Sequence, residues 1–471
     1  MSCGMSCRTA ALAGLVVAAL STPAFANGRP PGTSSISFRQ GMENEIAVGL
    51  TFGLVVSHDG GKSWAWMCED AIGYSGMYDP HYSYTATGAL FASTYNGLRV
   101  MSNGCTFDPT PQGNTFISDN TLSTASSAFF IAASEQGDSA ATPPKPADFH
   151  IYKSTDKGAS FPVKTMPATT ASWWQTILVA PSNDQVVYLS GYVYVDGPPG
   201  PNGKPTPVRN HLLFRSDNGG TTWTKLAIDP KVVTLMQNSL VDIVGIASDD
   251  PKVVYMRVEL DDNTASASIY RSTDAGVTWK LINHKPVAIP GFLVRAAKNA
   301  DGTHDVIIAT QATGAEISHD GGDHFTQLAN APHINCLVEN AAGEVWACTQ
   351  NYGFTGTASD DAGVMKTTDL ATWTKVLRYQ DLTDAVTCGA GTPQHDKCAA
   401  QWCAVCAQLN CKPAAAYNCP APTEVPGPPS APKKSGGGCC QAGAGDAGAG
   451  ALALGLVIGT VLLRPRRRTA V

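Results

Sequence analysis

The sequence predicts an all-β protein, a seven-bladed β-propeller of four-stranded antiparallel blades, followed by a small cysteine-rich segment and one C-terminal transmembrane helix. Three observations lead to the propeller. A motif of eight residues returns along the chain, and its closing aromatic recurs at intervals of 43 to 62 residues, about one blade each. Strand-like apolar runs precede and follow each copy. Only 15% of residues are charged, whereas there are 46 Gly and 31 Pro, a composition typical of turn-rich β proteins.

The repeated motif reads Ser/Thr-x-Asp-x-Gly-x-Thr/Ser-Trp/Phe. Its clear copies are Ser57–Trp64, Ser154–Phe161, Ser216–Trp223, Ser272–Trp279 and Ser318–Phe325, and its degenerate copies are Val100–Phe107 and Thr367–Trp373. The acidic side chain can accept hydrogen bonds from backbone N–H groups around the turn, and the glycine adopts a left-handed conformation at low cost. The motif resembles the Asp-box (BNR) repeat of sialidases and related propellers. This resemblance implies a structural role for Ser57, Asp59, Gly61, Trp64, Asp156, Gly158, Phe161, Asn218, Gly220, Trp223, Asp274, Gly276, Trp279, Asp320, Gly322, Phe325, Asp369 and Trp373.

Each blade is predicted to run as strands A, B, C and D, with the motif forming the C–D turn. The A–B and C–D turns then share one face of the propeller, and the D–A and B–C loops share the other. Ligand sites are expected on this second face, around the central channel. Blades three, four and seven have long B–C loops, and loops of this length are either functional walls or flexible segments. The two neighbouring ones, in blades three and four, are candidates for a rim beside the channel.

The segments outside residues 27–385, the predicted propeller, are interpreted from composition. Residues 1–26 combine Arg8, an apolar run and Ala-Phe-Ala, as a secretory signal peptide does. Residues 386–420 are cysteine-rich, and residues 421–438 form a Pro/Gly stalk.

Residues 439–471 contain Cys439, Cys440, an apolar run and an arginine cluster. This layout resembles the C-terminal sorting signal of myxobacterial surface proteins, which implies that the two cysteines are anchoring points. A plain single-pass anchor is the alternative, and both interpretations place the body outside the cytoplasm. The expected location is therefore the cell surface or outer membrane.

Cysteines in an exported chain are expected to pair. Cys336 and Cys348 lie on consecutive predicted strands, which favours a disulfide across that hairpin. A bridge between Cys68 and Cys105 would join blades one and two. The six cysteines between positions 388 and 419 favour a small disulfide knot over a zinc site, because their single Cys-x-x-Cys lacks a matched second pair. No metal or cofactor is predicted.

The formal net charge of the chain is −6, and the central part is more acidic still. An acidic body disfavours nucleic-acid binding, which needs Lys and Arg for phosphate contacts. The expected partners are an extracellular glycan or protein and, through the tail, a membrane, with the chain as a monomer.

Candidate ligand-binding residues lie where inner strands should begin or end near the channel. They are Arg39, His81, Tyr82, Trp173, Trp174, Asp242, His333 and Asn335. Adjacent strand residues point to opposite faces, so at most one of the two tryptophans should be exposed for stacking on a sugar.

Three functions compete. The first expectation is a non-catalytic surface module that recognises an extracellular glycan or protein. A sialidase-like hydrolase would need an arginine triad, for which Arg39, Arg257 and Arg295 are available, but the Phe-Arg-Ile-Pro motif is missing. A hydrolase with two carboxylates, as in propeller xyloglucanases, would draw on residues such as Asp79 and Asp242.

Overall fold

The motif-bearing turns join the outer strands of seven sheets arranged in a ring. We describe a computed structural model, which covers residues 29–74, 78–200, 202–228, 239–260, 266–353 and 358–419. The predicted signal peptide, stalk and sorting tail, with Cys439 and Cys440, lie outside the described residues. No helix among the described residues is long and apolar enough to cross a membrane.

Seven strands form the innermost layer and contact one another in sequence order, and the seventh contacts the first, so the ring is closed. These inner strands are β1 (Thr33–Arg39), β5 (His81–Tyr84), β9 (Ile117–Leu122), β13 (Trp173–Ala180), β17 (Leu240–Ile246), β21 (Gly291–Lys298) and β25 (Ile334–Glu339). The second strands are β2 (Met42–Leu50), β6 (Leu90–Thr94), β10 (Phe129–Ala133), β14 (Asn183–Pro199), β18 (Val254–Glu259), β22 (His304–Thr310) and β26 (Val345–Thr349).

The two outer layers complete each blade. The third strands are β3 (Gly53–Ser57), β7 (Gly97–Met101), β11 (Ile151–Ser154), β15 (Pro205–Ser216), β19 (Ala267–Ser272), β23 (Gly314–Ser318) and β27 (Val364–Thr367). The outermost strands are β4 (Ala65–Met67), β8 (Phe107–Pro109), β12 (Val163–Thr165), β16 (Thr224–Lys225), β20 (Lys280–Lys285), β24 (Thr326–Gln327) and β28 (Thr374–Leu377). The pairings among these four layers are all antiparallel, which confirms the predicted seven-bladed architecture of four-stranded antiparallel blades.

This alternation gives the ring two distinct faces. The face with the A–B turns and the motif turns is called the turn face here, and the face with the D–A and B–C connections is called the loop face. Every inner strand begins at the loop face and ends at the turn face. The core lies between neighbouring blades, where apolar side chains such as Phe130 and Trp174 are buried against each other.

The motif turns are held by their own side chains. In the first copy, the Gly61 amide donates to Ser57 Oγ at 2.9 Å. Asp59 Oδ1 accepts the Lys62 and Ser63 amides at 2.9 Å each, and Oδ2 accepts the Ser63 hydroxyl at 2.6 Å. Gly61 has φ +88°, and a Cβ there would meet Val376 of blade seven at 2.6 Å. The glycine therefore permits both the turn and the close approach of the next blade.

In the degenerate copy in blade two, an asparagine, Asn103, makes the hydrogen bonds that the aspartate makes in the first copy. Asn103 Oδ1 accepts the Cys105 and Thr106 amides at 2.9 Å each, as the acidic residue does elsewhere. The carboxylate of the motif is therefore replaceable by an amide oxygen at the same point of the turn.

The long B–C connection of blade four is not the loop that its Pro/Gly content indicates. Strands β14 and β15 remain paired out to Pro199 and Pro205, so they continue as a two-stranded ribbon beyond the blade. Prolines are tolerated because each strand of a two-stranded ribbon has an edge whose N–H groups need no partner.

Residues 386–419 pack on the propeller rather than forming a separate knot. A short strand, β29 (Asp384–Ala385), pairs in parallel with β4 and gives blade one a fifth strand. A π-helical turn (Gln394–Cys398) leads into the helix α2 (Ala399–Gln408). The other helix, α1 (Glu69–Ile72), lies earlier in the chain, and 3₁₀ turns are found at Tyr379–Asp381 and Ala415–Tyr417. Trp402 of α2 is fully buried and stacks on Trp66.

The disulfides explain this attachment and correct one expected pairing. Cys336 and Cys348 are joined across the β25–β26 hairpin. Cys68 and Cys105 do not pair with each other, and each reaches the C-terminal segment. The bonds are Cys68–Cys398, Cys105–Cys388, Cys403–Cys419 and Cys406–Cys411. Two of the six C-terminal cysteines, Cys398 and Cys388, thus attach the segment covalently to blades one and two. The spacing of cysteines in the sequence cannot reveal such a connectivity.

Candidate active site

A cleft of about 410 Å³ opens at the loop face where blades two to five meet. The starts of four inner strands and the ribbon of blade four supply its walls. It is lined by Tyr78, Asp79, His81, Ser93, Thr94, Tyr95, Phe116, Ile117, Ser118, Trp173, Trp174, Gln175, Thr176, Tyr192, Arg209, Asp242 and Arg257. This lining contains both aromatic rings and charged groups, a composition suited to a polar ligand with apolar faces.

One buried carboxylate ties three inner strands together beneath the cleft. Asp119 of β9 is 5% exposed. Its Oδ1 lies 2.6 Å from His81 Nδ1 on β5, and its Oδ2 accepts the Ile177 amide of β13 at 2.8 Å. Since Nδ1 of His81 bonds to the carboxylate, Nε2 is the ring nitrogen available to a ligand.

The environment of His81 favours its protonated form. Burial of the ring opposes the charge, but Asp119, Asp79 and Asp242 outweigh it and raise the pKa of His81. The side chain is nevertheless 53% exposed, so it combines a carboxylate partner with access to the cleft. Such a group can hold a proton near neutral pH and deliver it to a bound molecule.

A second carboxylate enters the cleft from blade five. Asp242 of β17 is 5% exposed and accepts a hydrogen bond from Arg257 Nη2 at 2.8 Å. Arg257 also contacts Glu259 at 3.2 Å and donates to the Ile289 carbonyl at 3.0 Å. Burial opposes the charge on Arg257, but Asp242 and Glu259 outweigh it and raise the pKa of the guanidinium. Burial raises the pKa of Glu259, against the opposing effect of Arg257.

A third carboxylate stands on the blade-two side. Asp79 precedes β5 and accepts two hydrogen bonds from Arg29, from Nη1 at 3.0 Å and from Nη2 at 2.6 Å. This two-pronged contact is the geometry in which a guanidinium fits a carboxylate best. The hydrogen bonds to Asp79 are the main reason that the pKa of Arg29 is raised.

Two aromatic groups flank these charges. Tyr78 and Tyr95 stack at 5.9 Å between ring centroids, and both approach Phe116. Across the lining, Trp173 stacks on Tyr192 with ring centroids 6.5 Å apart. The interplanar angle is 11° for the Tyr78–Tyr95 pair and 14° for the Trp173–Tyr192 pair. Tyr78 and Tyr95 are more than half exposed. Flat exposed rings of this kind can stack on the apolar faces of sugar rings.

The eight residues singled out from the sequence separate into different regions. His81, Trp173, Trp174 and Asp242 line the cleft. Trp174 is 2% exposed, and its indole donates to the Phe149 carbonyl at 2.9 Å, whereas Trp173 is half-buried.

The other four predicted ligand residues lie elsewhere. Tyr82 is buried and lines another cavity, whose walls include the turn-face ends of inner strands. Arg39 is at the turn face and donates to the Ala86 carbonyl. His333 faces Asp360 at 2.9 Å, and Asn335 contacts Gln311 beside a small separate pocket.

The arginines considered for a sialidase-like triad do not converge. Only Arg257 lines the cleft. Arg39 is at the turn face, and Arg295 is bound to Glu339 at 2.6 Å and to the Gly343 carbonyl of the blade-seven A–B turn. The described residues therefore contain no arrangement of these three arginines around one carboxylate-binding point.

Sequence reasoning missed Asp119, Glu259 and the tyrosines of the cleft. Asp119 had a detectable signal, because a charged residue in the middle of an inner strand, within ISDNTL, must have a buried partner. Tyr78 and Tyr95 gave no such signal in the sequence, because both belong to connections between strands whose placement depends on neighbouring blades. No group of three or more His, Cys, Asp or Glu suited to a metal ion occurs in the described part of the chain.

Comparisons with known proteins add a direction for function. No family model matches the chain. A xyloglucanase from a Paenibacillus species is 28% identical over 175 residues, which cover 32% of this chain and 15% of that enzyme. The xyloglucanase Xgh74A of Acetivibrio thermocellus is 29% identical over 157 residues, covering 29% of this chain and 16% of the enzyme. The aligned stretches thus span about one sixth of the curated relatives' length.

Among solved structures, an ancestral GH74 enzyme superposes with a TM-score of 0.48 and 13% identity, covering 69% of this chain and 44% of that one. The chain is thus a seven-bladed β-propeller with xyloglucanase sequence neighbours and a GH74 structural neighbour. The expectation of a non-catalytic binding module is wrong, because the curated relatives that match 32% and 29% of this chain are xyloglucanases.

Proposed function

We propose that this protein is a glycoside hydrolase that cleaves a polysaccharide of the xyloglucan type in the loop-face cleft. The observation that carries the proposal is the presence of two carboxylates, Asp79 and Asp242, in the lining of one cleft. They come from blades two and five, and an arginine holds each of them. The partial sequence similarity to xyloglucanases supports the choice of substrate.

The chemistry requires a proton donor for the leaving oxygen and a carboxylate that activates water or attacks the sugar. Asp242 and Asp79 both line the cleft and are held in position by Arg257 and Arg29, so they suit the second task. We assign the base to Asp242. It takes a proton from a water molecule whose oxygen bonds to the anomeric carbon while the glycosidic C–O bond breaks.

His81 suits the first task. Its pKa is raised, its Nδ1 is held by Asp119, and its Nε2 is free to give a proton to the departing sugar oxygen. The carboxylate of Asp79, which Arg29 holds in place, stabilises the positive charge that develops on the sugar ring during bond breaking. The aromatic groups around Tyr78 and Trp173 supply stacking surfaces that keep the chain of sugars in register.

The test is the release of reducing ends from xyloglucan by the full chain and three variants. Asp242→Asn should lower turnover by about 100-fold or more, the usual contribution of a catalytic base. Asp79→Asn should lower it by a similar factor, because a charge that stabilises the transition state is lost. Asp108→Asn is the matched control, since Asp108 is exposed on an outermost strand. Circular dichroism would confirm that all variants are folded. The proposal fails if the natural chain cleaves no polysaccharide of a neutral panel, or if both cleft variants retain full turnover.

We also propose that the chain is exported. Five disulfides among the described residues need an oxidising compartment, and the predicted signal peptide would direct the chain there. Fractionation of cells that produce the chain, followed by thiol labelling, should find it outside the cytoplasm with these ten cysteines unlabelled. Recovery in the cytoplasm with free thiols would contradict export.

A further inference from the structure

A second cavity, of about 790 Å³, lies on the loop face next to the cleft, and we call it the outer cavity. Two pairs of consecutive residues connect the two spaces. Tyr95 and Phe116 line the cleft, and their neighbours Asn96 and Thr115 line the outer cavity. The rings of Tyr95 and Phe116 are 5.1 Å apart, so this aromatic pair forms a ridge between the two spaces. A polymer that crosses the ridge would occupy both.

The outer cavity carries an excess of positive charge. Arg99, Lys145 and Lys164 line it, together with a single carboxylate, Asp148. Lys145 is neutralised by an ion pair with Glu135. Asp148 accepts a hydrogen bond from the Tyr152 hydroxyl at 2.5 Å and contacts His150 at 2.7 Å, so its oxygens already have partners besides lysine. Arg99 and Lys164 therefore face a single carboxylate, Asp148, whose oxygens already contact Tyr152 and His150.

Among the described residues, Arg99 has no anionic partner. Its Nε is enclosed and has no hydrogen-bond partner among the described residues. The guanidinium packs against the backbone of Gly73, where a Cβ would come within 3.4 Å of it. Because Nε is enclosed, a ligand in the cavity would meet the terminal nitrogens of the guanidinium rather than Nε. A fixed guanidinium fork fits a carboxylate or a sulfate better than it fits a neutral hydroxyl.

The remaining walls suit a sugar ring. Pro143, Pro144 and Pro146 give a rigid apolar surface, and the amides of Asn96 and Asn114 are exposed beside it. The volume lies within the range of about 300–1,000 Å³ that small-molecule sites occupy. These features combine an apolar wall, hydrogen-bonding amides and a fixed cation.

We propose that the outer cavity is a subsite for an anionic sugar unit, one that carries a carboxylate or a sulfate, with Arg99 as its main contact. This inference rests on the proposed function for the idea that a polysaccharide reaches the cavity across the Tyr95–Phe116 ridge. Lys164 contributes long-range attraction, since its Nζ lies 5.2 Å from the centre of the Tyr152 ring and remains exposed.

The test measures binding by calorimetry with the full chain and three probes. These are a disaccharide that contains glucuronic acid, the corresponding neutral disaccharide, and inorganic sulfate. The acidic disaccharide should bind about tenfold tighter than the neutral one. Arg99→Gln should remove about tenfold of its affinity, because a charged hydrogen bond is lost. Lys164→Gln should remove about two- to fivefold, because that cation is exposed. Lys204→Gln, at the exposed end of the blade-four ribbon, is the matched control and should change nothing.

Three results would overturn the proposal: equal affinity for the acidic and neutral disaccharides, an affinity that Arg99→Gln leaves unchanged, or sulfate binding as tight as that of the acidic sugar. The last result would indicate a site for free anions only. Hydrolysis of neutral xyloglucan by the natural chain is measured separately, so that the subsite and the enzyme activity have different readouts. If the natural chain hydrolyses xyloglucan but binds the acidic disaccharide no tighter than the neutral one, the subsite proposal alone fails. If the natural chain prefers the acidic disaccharide but hydrolyses nothing, the enzyme proposal alone fails.

Discussion

His81 and Asp119, on neighbouring inner strands, are joined by a hydrogen bond of 2.6 Å between the imidazole Nδ1 and the carboxylate Oδ1. The same carboxylate is fixed through its other oxygen by a backbone amide of a third strand. The imidazole is therefore oriented by the rigid inner ring of the propeller rather than by a loop. This arrangement makes the pH dependence of the reaction a direct test of the role assigned to His81.

We expect turnover to fall as pH rises through the raised pKa of His81, because only the protonated ring can donate to the leaving oxygen. In Asp119→Asn the main attractive charge is gone, so the pKa of His81 should drop and this alkaline decline should move to lower pH. The measurement is the pH profile of kcat on xyloglucan. Asp305→Asn is the control, since Asp305 faces His319 at 2.9 Å on the turn face. A decline that stays in place in Asp119→Asn, or persists in His81→Gln, would exclude His81 as the donor.

Trp173 and Trp174 should respond differently to truncation despite being neighbours. Trp174 is 2% exposed and packs edge-on against Phe214, so Trp174→Ala should lower the free energy of unfolding by about 3–5 kcal/mol. Trp173→Ala should leave the fold nearly unchanged and raise KM for xyloglucan several-fold, since the exposed ring face is lost. Urea unfolding and steady-state kinetics give the two readouts. Equal losses of stability in both variants would argue against a stacking role for Trp173.

Much of the fold could be predicted from the sequence because the motif turn is a local device. Its hydrogen bonds join residues two to four positions apart, as Ser57, Asp59 and Gly61 demonstrate. Seven such turns at blade-length intervals therefore fix the number of blades without any knowledge of long-range contacts. The same reasoning failed for residues 386–419, whose position depends on disulfides that span 330 and 283 residues.

The candidate site was less predictable for a related reason. His81, Trp173 and Asp242 could be placed near the channel from their positions at the starts of inner strands. Their partners could not, because the contacts of Asp119 with His81 and of Arg29 with Asp79 cross between blades. A periodic pattern gives the order of the blades around the ring, but it does not say which side chains meet in the gaps between them.

The motif turns should make the free energy of unfolding decrease as the pH becomes acidic. Hydrogen bonds from the Thr278 hydroxyl and amide lower the pKa of Asp274 to about 2. A lowered pKa contributes stability that is fully present above the unfolded value of about 3.9 and is lost as pH falls toward the folded value. Asn218 occupies the same position in blade four and cannot titrate.

The two positions therefore allow opposite substitutions. Asn218→Asp should steepen the loss of stability between pH 5 and pH 2, and Asp274→Asn should make it shallower. Urea midpoints measured across this pH range provide the check. Identical pH dependence in both variants and the natural chain would show that the turn carboxylates have no net effect on folding.

The C-terminal segment should act as a clamp that stabilises blade one. Trp402 is fully buried and stacks on Trp66, with ring centroids 5.4 Å apart and an interplanar angle of 29°. Behind this stack, Gln394 donates to the Trp66 carbonyl at 3.0 Å, and the Cys68–Cys398 disulfide closes the contact. Trp402→Ala should lower the free energy of unfolding by about 3–5 kcal/mol, because it leaves a large cavity against blade one.

Trp402→Phe should cost less, because the ring stack survives in part and the enclosed indole N–H, which has no partner among the described residues, is removed. Val277→Ala is the matched control, since Val277 is 68% exposed and should change stability little. Thermal melts of the oxidised chains measure the order, which we expect to be natural chain, Trp402→Phe, Trp402→Ala from most to least stable. A Trp402→Ala variant as stable as Val277→Ala would mean that the segment is only tethered by its disulfides.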